Sequence, residues 1–112
     1  MIITRAKVTN AATDNLYNWL VSTIAATGGG VPDSYVVPDK CCSLVYWPDA
    51  GNDDGILIVD NFDGNQAQEL TSTVAAPNVL GPFDSDLINL RDIKLIASGN
   101  GSDYLWVQIV VA

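Results

Sequence analysis

Residues 87–111 have the sequence LINLRDIKLIASGNGSDYLWVQIVV, and this stretch decides the fold. Its last part, 104–111, alternates strictly, which is typical of a strand that turns one face to a core. One face carries only aliphatic side chains: Leu105, Val107, Ile109 and Val111. The other face carries Tyr104, Trp106, Gln108 and Val110.

The first part of the same stretch, 87–97, predicts a second strand, with Leu87, Ile93 and Leu95 on one face. Between the two strands lies the segment SGNGSD, residues 98–103, which is rich in turn residues. The sequence therefore predicts a β-hairpin formed by these two strands.

Further strands are predicted upstream, separated by turn signals. Residues 2–9 alternate, with Ile2, Thr4, Ala6 and Val8 on one side. Residues 41–47 and 56–60 also predict strands, and the second is apolar on both faces, so we expect it at the centre of a sheet. Weaker strands are predicted at 67–71 and 72–75. Six to eight short strands at about ten-residue spacing favour a single all-β domain over residues 1–112, a sandwich or a barrel.

One segment, 14–26, changes period from two to 3.6. The residues near one helical face are Leu16, Trp19, Leu20 and Ile24. Thr13 or Asp14 is suited to cap the start, and a glycine triplet at 28–30 ends the pattern. A short N-terminal helix is predicted. A strand is the alternative, because 20–24 (LVSTI) is also rich in β-formers.

Composition excludes several functions. Of 112 residues, 48% are apolar and 16% charged, so the chain is not a disordered acidic tail. Five basic residues oppose thirteen acidic ones, for a net charge of −8, which disfavours nucleic acid and anionic membranes as partners. There is no histidine, so Ser-His-Asp and Cys-His catalysis are excluded. We expect no enzymatic activity, no catalytic residue and no cofactor.

The aspartates and cysteines are expected to be structural. The loop with Asp49, Asn52, Asp53 and Asp54 offers oxygen ligands for calcium, but its spacing is not that of an EF-hand and no glutamate closes it. A solvated turn without metal is the prediction. Cys41 and Cys42 are adjacent, so they point to opposite faces and are expected as one buried and one exposed or semi-buried free thiol in a reducing cytosol. The first ten residues lack the apolar segment of a secretory signal, and no stretch has the length of a membrane span.

The aromatic residues are the candidate binding groups. If the aliphatic face of 104–111 points inward, Tyr104, Trp106 and Val110 remain outside, and large apolar groups outside need a cover. Either the N-terminal helix or another subunit supplies it, and we favour a subunit contact that also involves Trp19. Stacking of Trp and Tyr on sugar rings is the alternative.

From residue 41 onward, about two-thirds of the chain resembles the small jelly-roll head decoration (cement) proteins of tailed bacteriophages. The matching features are strand order and turn placement: 42–45 (CSLV), a short acidic loop, 56–59 (ILIV), Gly81-Pro82, 87–93 (LINLRDI), a Gly/Asp turn, and the terminal strand 104–111. The helical segment 14–26 departs from the pattern and is expected to be an insertion.

The resemblance implies a jelly-roll-like β-sandwich that stabilises a phage head by binding across capsomers. The expected partners are further copies of the chain, as a homotrimer, and the major capsid protein. The expected location is the head surface of a virion assembled in the host cytoplasm. No catalytic residue carries over, and the interface residues expected are Trp19, Tyr104, Trp106 and Val110. A jelly-roll carbohydrate- or receptor-binding module at a fibre or spike tip is the alternative function.

Overall fold

The structure, a computed structural model, describes residues 1–10, 12–60, 68–71 and 77–112. These residues form antiparallel sheets and one α-helix, as predicted for a mainly β sandwich. The strands are β1 (Ile2–Thr9), β2 (Asp14–Asn15), β3 (Lys40–Cys41), β4 (Ser43–Pro48), β5 (Ile56–Asp60), β6 (Gln68–Leu70), β7 (Asn78–Leu80), β8 (Ile88–Asn89), β9 (Lys94–Ala97) and β10 (Ser102–Val110). The helix α1 spans Leu16–Thr27, and a 3₁₀ helix spans Leu90–Asp92.

Two four-stranded sheets enclose the core. The first sheet has the order β1-β10-β4-β7 and the second has β2-β9-β5-β6, while β3 and β8 form a small ribbon. As predicted, β5 lies inside its sheet. Alternate residues of both sheets point inward and, with α1, form one buried cluster: Ala6, Val8, Leu16, Leu20, Leu44, Tyr46, Ile56, Ile58, Leu70, Leu95, Leu105, Val107 and Ile109, among others.

The segment after β2 is a helix rather than a strand. It begins after Asn15, whose side chain accepts a hydrogen bond from the Asn18 backbone at 2.8 Å, so the predicted caps Thr13 and Asp14 were wrong. Asp14 and Asn15 pair with β9, and this pairing delays the helix start to residue 16. Gly28 ends the helix as predicted, with φ of 78° and its N–H on the carbonyl of Ile24.

The helix closes one side of the sandwich along β1. Leu16 and Leu20 are fully buried in the core. The buried Thr23 hydroxyl accepts the Lys7 backbone N–H at 2.8 Å and donates to the Trp19 carbonyl at 2.7 Å. An N–H on the free edge of β1 is therefore satisfied by the helix, which protects that edge from pairing with another chain.

The predicted hairpin between 87–97 and 104–111 was wrong. β10 pairs with β1 and β4, whereas β9 pairs with β2 and β5 in the other sheet. The turn between them therefore carries the chain across the sandwich. The alternation of each strand determines which of its faces is buried. The same aliphatic residues are buried whether the two strands pair edge to edge in one sheet or pack face to face from opposite sheets, so the alternation does not distinguish these two arrangements.

The single strand predicted for 87–97 was also wrong. The 3₁₀ helix interrupts it, and the Asn89 side chain caps that helix by accepting the Arg91 N–H at 3.0 Å. The interruption shifts the pattern, so that Ile88 and Leu90 become fully buried while Leu87 is 57% exposed.

Strands β6 and β7 differ in whether the sequence predicted them. β6 confirms the strand predicted near 67–71, and β7 is a strand that was not predicted. The strand predicted at 72–75 lies outside the described residues. Within the described ranges, no helix has the length and apolar character needed to cross a membrane.

Candidate functional site

Aromatic, aliphatic and basic side chains lie together on the outward face of the first sheet. Strand register sets rows of neighbours across it: Arg5 lies opposite Trp106, which lies opposite Trp47, and Lys7 lies opposite Tyr104. We call this side of the sheet the outward face, and its residues are Ile3, Arg5 and Lys7 of β1, Tyr104, Trp106, Gln108 and Val110 of β10, Ser43, Val45 and Trp47 of β4, and Val79 of β7.

A tryptophan pair lies at the centre of this face. The rings of Trp47 and Trp106 stack with centroids 6.5 Å apart and planes inclined by 11°. The indole N–H of Trp106 donates to Asp49 Oδ1 at 3.0 Å. The indole N–H of Trp106 thus has its hydrogen-bond partner within the chain, and the stack fixes the orientation of the ring. Such aromatic pairs contribute about 1 kcal/mol to stability beyond the burial of their surface.

The loop after β4 is held against β10 by an amide side chain. Asn52 Nδ2 donates to the Tyr104 carbonyl at 3.0 Å, and Asn52 Oδ1 accepts the Tyr104 N–H at 2.8 Å. Asn52 thereby substitutes for a paired strand beyond the end of β4. It fixes the loop that carries Asp49, so this asparagine is a structural residue and its oxygen is already occupied.

A guanidinium lies over the aromatic rings. The Arg5 Cζ is 4.1 Å from the Tyr104 centroid and 5.6 Å from the Trp106 centroid. In the part of the chain that the structure describes, the one ion pair joins Arg91 to Asp39, so Arg5 has no carboxylate partner there. Stacking limits the freedom of the side chain while its N–H groups remain available to an anion.

The outward face is open to solvent at its margins. Ile3 is 49% exposed and Val79 is 57% exposed, and the rings between them are half-buried. The helix makes its main contacts with β1, β2 and the 3₁₀ helix, so it lies beside this face and not over it. The face is therefore a contiguous surface of aromatic, aliphatic and cationic groups, the kind that marks a binding site.

A cleft deepens one margin of the face, where the helix ends. It has a volume of about 560 Å³ and is lined by Ile3, Arg5, Thr27, Gly29, Gly30 and Trp106. The Thr4 hydroxyl donates to the Gly29 carbonyl at 2.6 Å, which fixes the glycine turn against β1. Gly29 has a φ of 59°, and a Cβ there would lie 2.8 Å from the Ile24 side chain, so the wall of the cleft requires glycine.

Three of the four predicted interface residues lie together. Tyr104, Trp106 and Val110 are on the outward face, half-buried. Trp19 is not: it packs against the core from α1, and its indole N–H donates to the carbonyls of Asp14 at 3.0 Å and Leu95 at 3.1 Å. Trp19 thus has an internal structural role, while its part in an interface stays a prediction.

Sequence reasoning missed Arg5 as a member of this site. Its alternation in 2–9 places it on the side opposite Ile2, but only the pairing of β1 with β10 brings it to Tyr104 and Trp106. The pairing of Trp47 with Trp106 likewise depends on register. No signal in the sequence carries that register.

The cysteines are both buried, which corrects the expectation that one of them is exposed or semi-buried. Cys41 is inaccessible and Cys42 is 8% exposed, and both are free. Burial raises the pKa of Cys41 to about 11, with further contributions from Cys42 and Asp86. A thiol with so high a pKa is a weak nucleophile at neutral pH.

One buried carboxyl group lies near the acidic loop. Asp103 is 1% exposed, and its Oδ1 accepts the Asp54 N–H at 3.3 Å. Burial raises its pKa, and the charges of Asp54 and Asp53 add to that effect. Within the described ranges, no three acidic or cysteine side chains lie close enough together to hold one metal ion.

No known family model matches the chain, and neither a curated protein nor a solved structure matches it.

Proposed function

We propose that this protein is a structural virion subunit, a head decoration protein that binds across capsomers through the outward face of its first sheet. The observation that carries the proposal is the Trp47–Trp106 pair with Arg5 beside it, held in a fixed arrangement on a side of the sheet that remains open. Aromatic and arginine side chains that are fixed before binding lose little entropy on association, and they dominate the binding energy of protein interfaces.

The difference between the two faces of the first sheet supports the same proposal. The inward residues of β1, β4 and β10 belong to the buried core, whereas the outward rings are not part of it. The outward rings are therefore available to a partner at no cost to the core. A subunit repeated over a shell needs a rigid domain with such a surface, and each contact can be of modest size.

The proposed function is tested by mass spectrometry of purified particles from cells that make the protein together with the capsid. The wild-type chain is expected on the particles, and Trp106→Ala is expected to remain in the soluble fraction. Val59→Ala is the control, since Val59 is 37% exposed on β5 of the second sheet. Absence of the wild-type chain from particles, or equal retention of Trp106→Ala, would overturn the proposal.

A second candidate function is binding of a carbohydrate or a receptor glycan. The cleft beside Arg5 and Trp106 favours it, because its volume of about 560 Å³ is within the usual range for small ligands and an indole ring forms one wall. Glycan-array binding by the wild-type chain that is lost in Trp106→Ala and Trp47→Ala would support this function. An array without signal for the wild-type chain would remove it.

A further inference from the structure

The turn between β9 and β10 contains the dipeptide Asn100-Gly101, the only place in the chain where glycine follows asparagine. Both residues are exposed. In this dipeptide the backbone nitrogen of the glycine can attack the side-chain amide carbon of the asparagine, because glycine has no Cβ to block the approach and adopts the widest range of backbone angles. The turn therefore carries a reactive pair of groups that the proposed function does not use.

The structure leaves this pair unrestrained. Gly101 lies outside the ladder between β10 and β1, whose first pair is Ser102 with Thr9. A Cβ at Gly101 would have no heavy atom within 4 Å, so the backbone there is surrounded by open space. The Asn100 Oδ1 accepts a hydrogen bond from Asn10 Nδ2 at 3.4 Å, which is a long and weak contact. Nothing in this geometry prevents the Asn100 side chain from turning towards the Gly101 nitrogen.

Other asparagines of the described residues are held in place. Asn52 uses both its Oδ1 and its Nδ2 on the backbone of Tyr104. The side chains of Asn15 and Asn89 accept backbone N–H groups as helix caps. Each of these three asparagines is followed by a residue with a side chain. Asn100 differs from them both in its neighbour and in its freedom.

We infer that Asn100 is a site of spontaneous covalent modification, at which the side-chain amide is lost and isoaspartate forms. The Gly101 nitrogen gives its proton to solvent and forms a bond to Asn100 Cγ. The Cγ–Nδ2 bond breaks, and Nδ2 leaves as ammonia, so a five-membered succinimide ring remains. Water then adds to either ring carbonyl and opens the ring to aspartate or isoaspartate. The sum is asparagine plus water giving the acid plus ammonia, with no oxidant or reductant.

The modification changes both the charge and the backbone of the turn. It adds one negative charge to a chain whose formal net charge is −8. The new charge arises beside an acidic loop, because the Asp54 carboxylate lies against Gly99. Isoaspartate also adds one carbon to the backbone of the segment that joins β9 of the second sheet to β10 of the first. The modification is independent of the proposed function.

The test is peptide mapping by mass spectrometry on the folded full chain during incubation in mildly alkaline buffer. Asn100 is expected to convert to the acid at least about 10-fold faster than Asn52, with isoaspartate detected by enzymatic methylation. Gly101→Ala is expected to slow the conversion by about 10-fold, because the added Cβ hinders the attacking nitrogen and has room in the fold. Ser102→Ala is the matched control, since it changes the same exposed turn and keeps the Asn-Gly pair, and the wild-type rate is expected.

Three results would overturn the inference. The first is an Asn100 that stays intact in the folded chain while a free peptide of residues 98–103 is converted. The second is conversion at the same rate in the wild type and Gly101→Ala, and the third is conversion of Asn100 only in urea. Circular dichroism checks folding, and if Gly101→Ala is unfolded, Asn100→Gln is expected to show the same loss of reaction, because its longer side chain would have to close a larger ring. None of these results bears on whether the chain is found on particles.

Discussion

The two sides of β10 differ sharply, although they belong to one strand of nine residues. The inward side carries Leu105, Val107 and Ile109, which are at most 3% exposed and belong to the buried core that the two sheets and the helix form. The outward side carries Tyr104 and Trp106: Trp106 stacks on Trp47, and Arg5 lies over both rings at the surface. We therefore expect the inward side to determine stability, and association through the outward side is the proposal.

Removal of an inward side chain is expected to have the largest effect on stability. Leu105→Ala deletes a fully buried side chain from between the sheets, so we expect a loss of about 3 kcal/mol in the free energy of unfolding. Urea unfolding followed by circular dichroism measures it. A loss below about 1 kcal/mol would mean that the inward side is not the source of stability.

The edge of the sheet is expected to show a smaller effect. Thr23→Val keeps the shape but removes the oxygen that accepts the Lys7 N–H, and leaves that donor without a partner. We expect a loss of about 1–2 kcal/mol and faster hydrogen exchange at the Lys7 amide. Thr27→Val is the control, because Thr27 is exposed and its hydroxyl bonds within the helix end. Unchanged exchange at Lys7 would contradict the role assigned to the helix at this edge.

The outward side is expected to contribute little to stability. Trp106→Ala removes the stack with Trp47 and one hydrogen bond to Asp49, both at a half-buried position, so we expect a loss of about 1 kcal/mol. The informative quantity is the difference between this loss and that of Leu105→Ala in the free energy of unfolding, with both measured by the same urea titration. Equal losses in the two variants would remove the distinction between the two sides.

Asp103 is the exception on the inward side, and its variant is expected to have the smallest effect and the opposite sign. Because burial raises the pKa of Asp103, the folded state holds that proton more tightly than the unfolded state does. This group therefore stabilises the fold as pH falls through its folded pKa towards the unfolded value, and its ionised form costs stability at neutral pH.

Asp103→Asn removes that cost and keeps an oxygen for the Asp54 N–H, so we expect a gain below about 1 kcal/mol at pH 7 that disappears in acid. Urea unfolding at a series of pH values measures it. A less stable variant at pH 7 would show that the loop N–H groups favour the charged carboxylate more than burial disfavours it.

Alternation predicted the faces of the strands well. In β10 the predicted inward residues Leu105, Val107 and Ile109 are buried, because a period of two leaves only one way to bury a continuous aliphatic row. Val111 was wrongly predicted to be inward: it follows the end of the strand and is 54% exposed. The helix at 16–27 was similarly predictable, since its apolar spacing and the glycines after it both indicate a helix.

Pairing was not predictable in the same way. The sequence placed β9 beside β10, yet they lie in different sheets, because the face pattern contains no information on the edge partner. The same limitation hid the site: Arg5 meets Tyr104, and Trp47 meets Trp106, only through the register of β1 and β4 on β10. The break in 87–97 was not predicted, because Asn89, which caps the 3₁₀ helix, is a residue type that also occurs in a strand beside a turn.

The most direct test of the account is the molar mass in solution of the wild-type chain and of Trp106→Ala, measured by light scattering over the same concentration series. We expect a multiple of 11.9 kDa for the wild type and 11.9 kDa for the variant, with both chains folded. Identical masses for the two folded chains at every concentration would contradict it, because the outward face would then have no part in association.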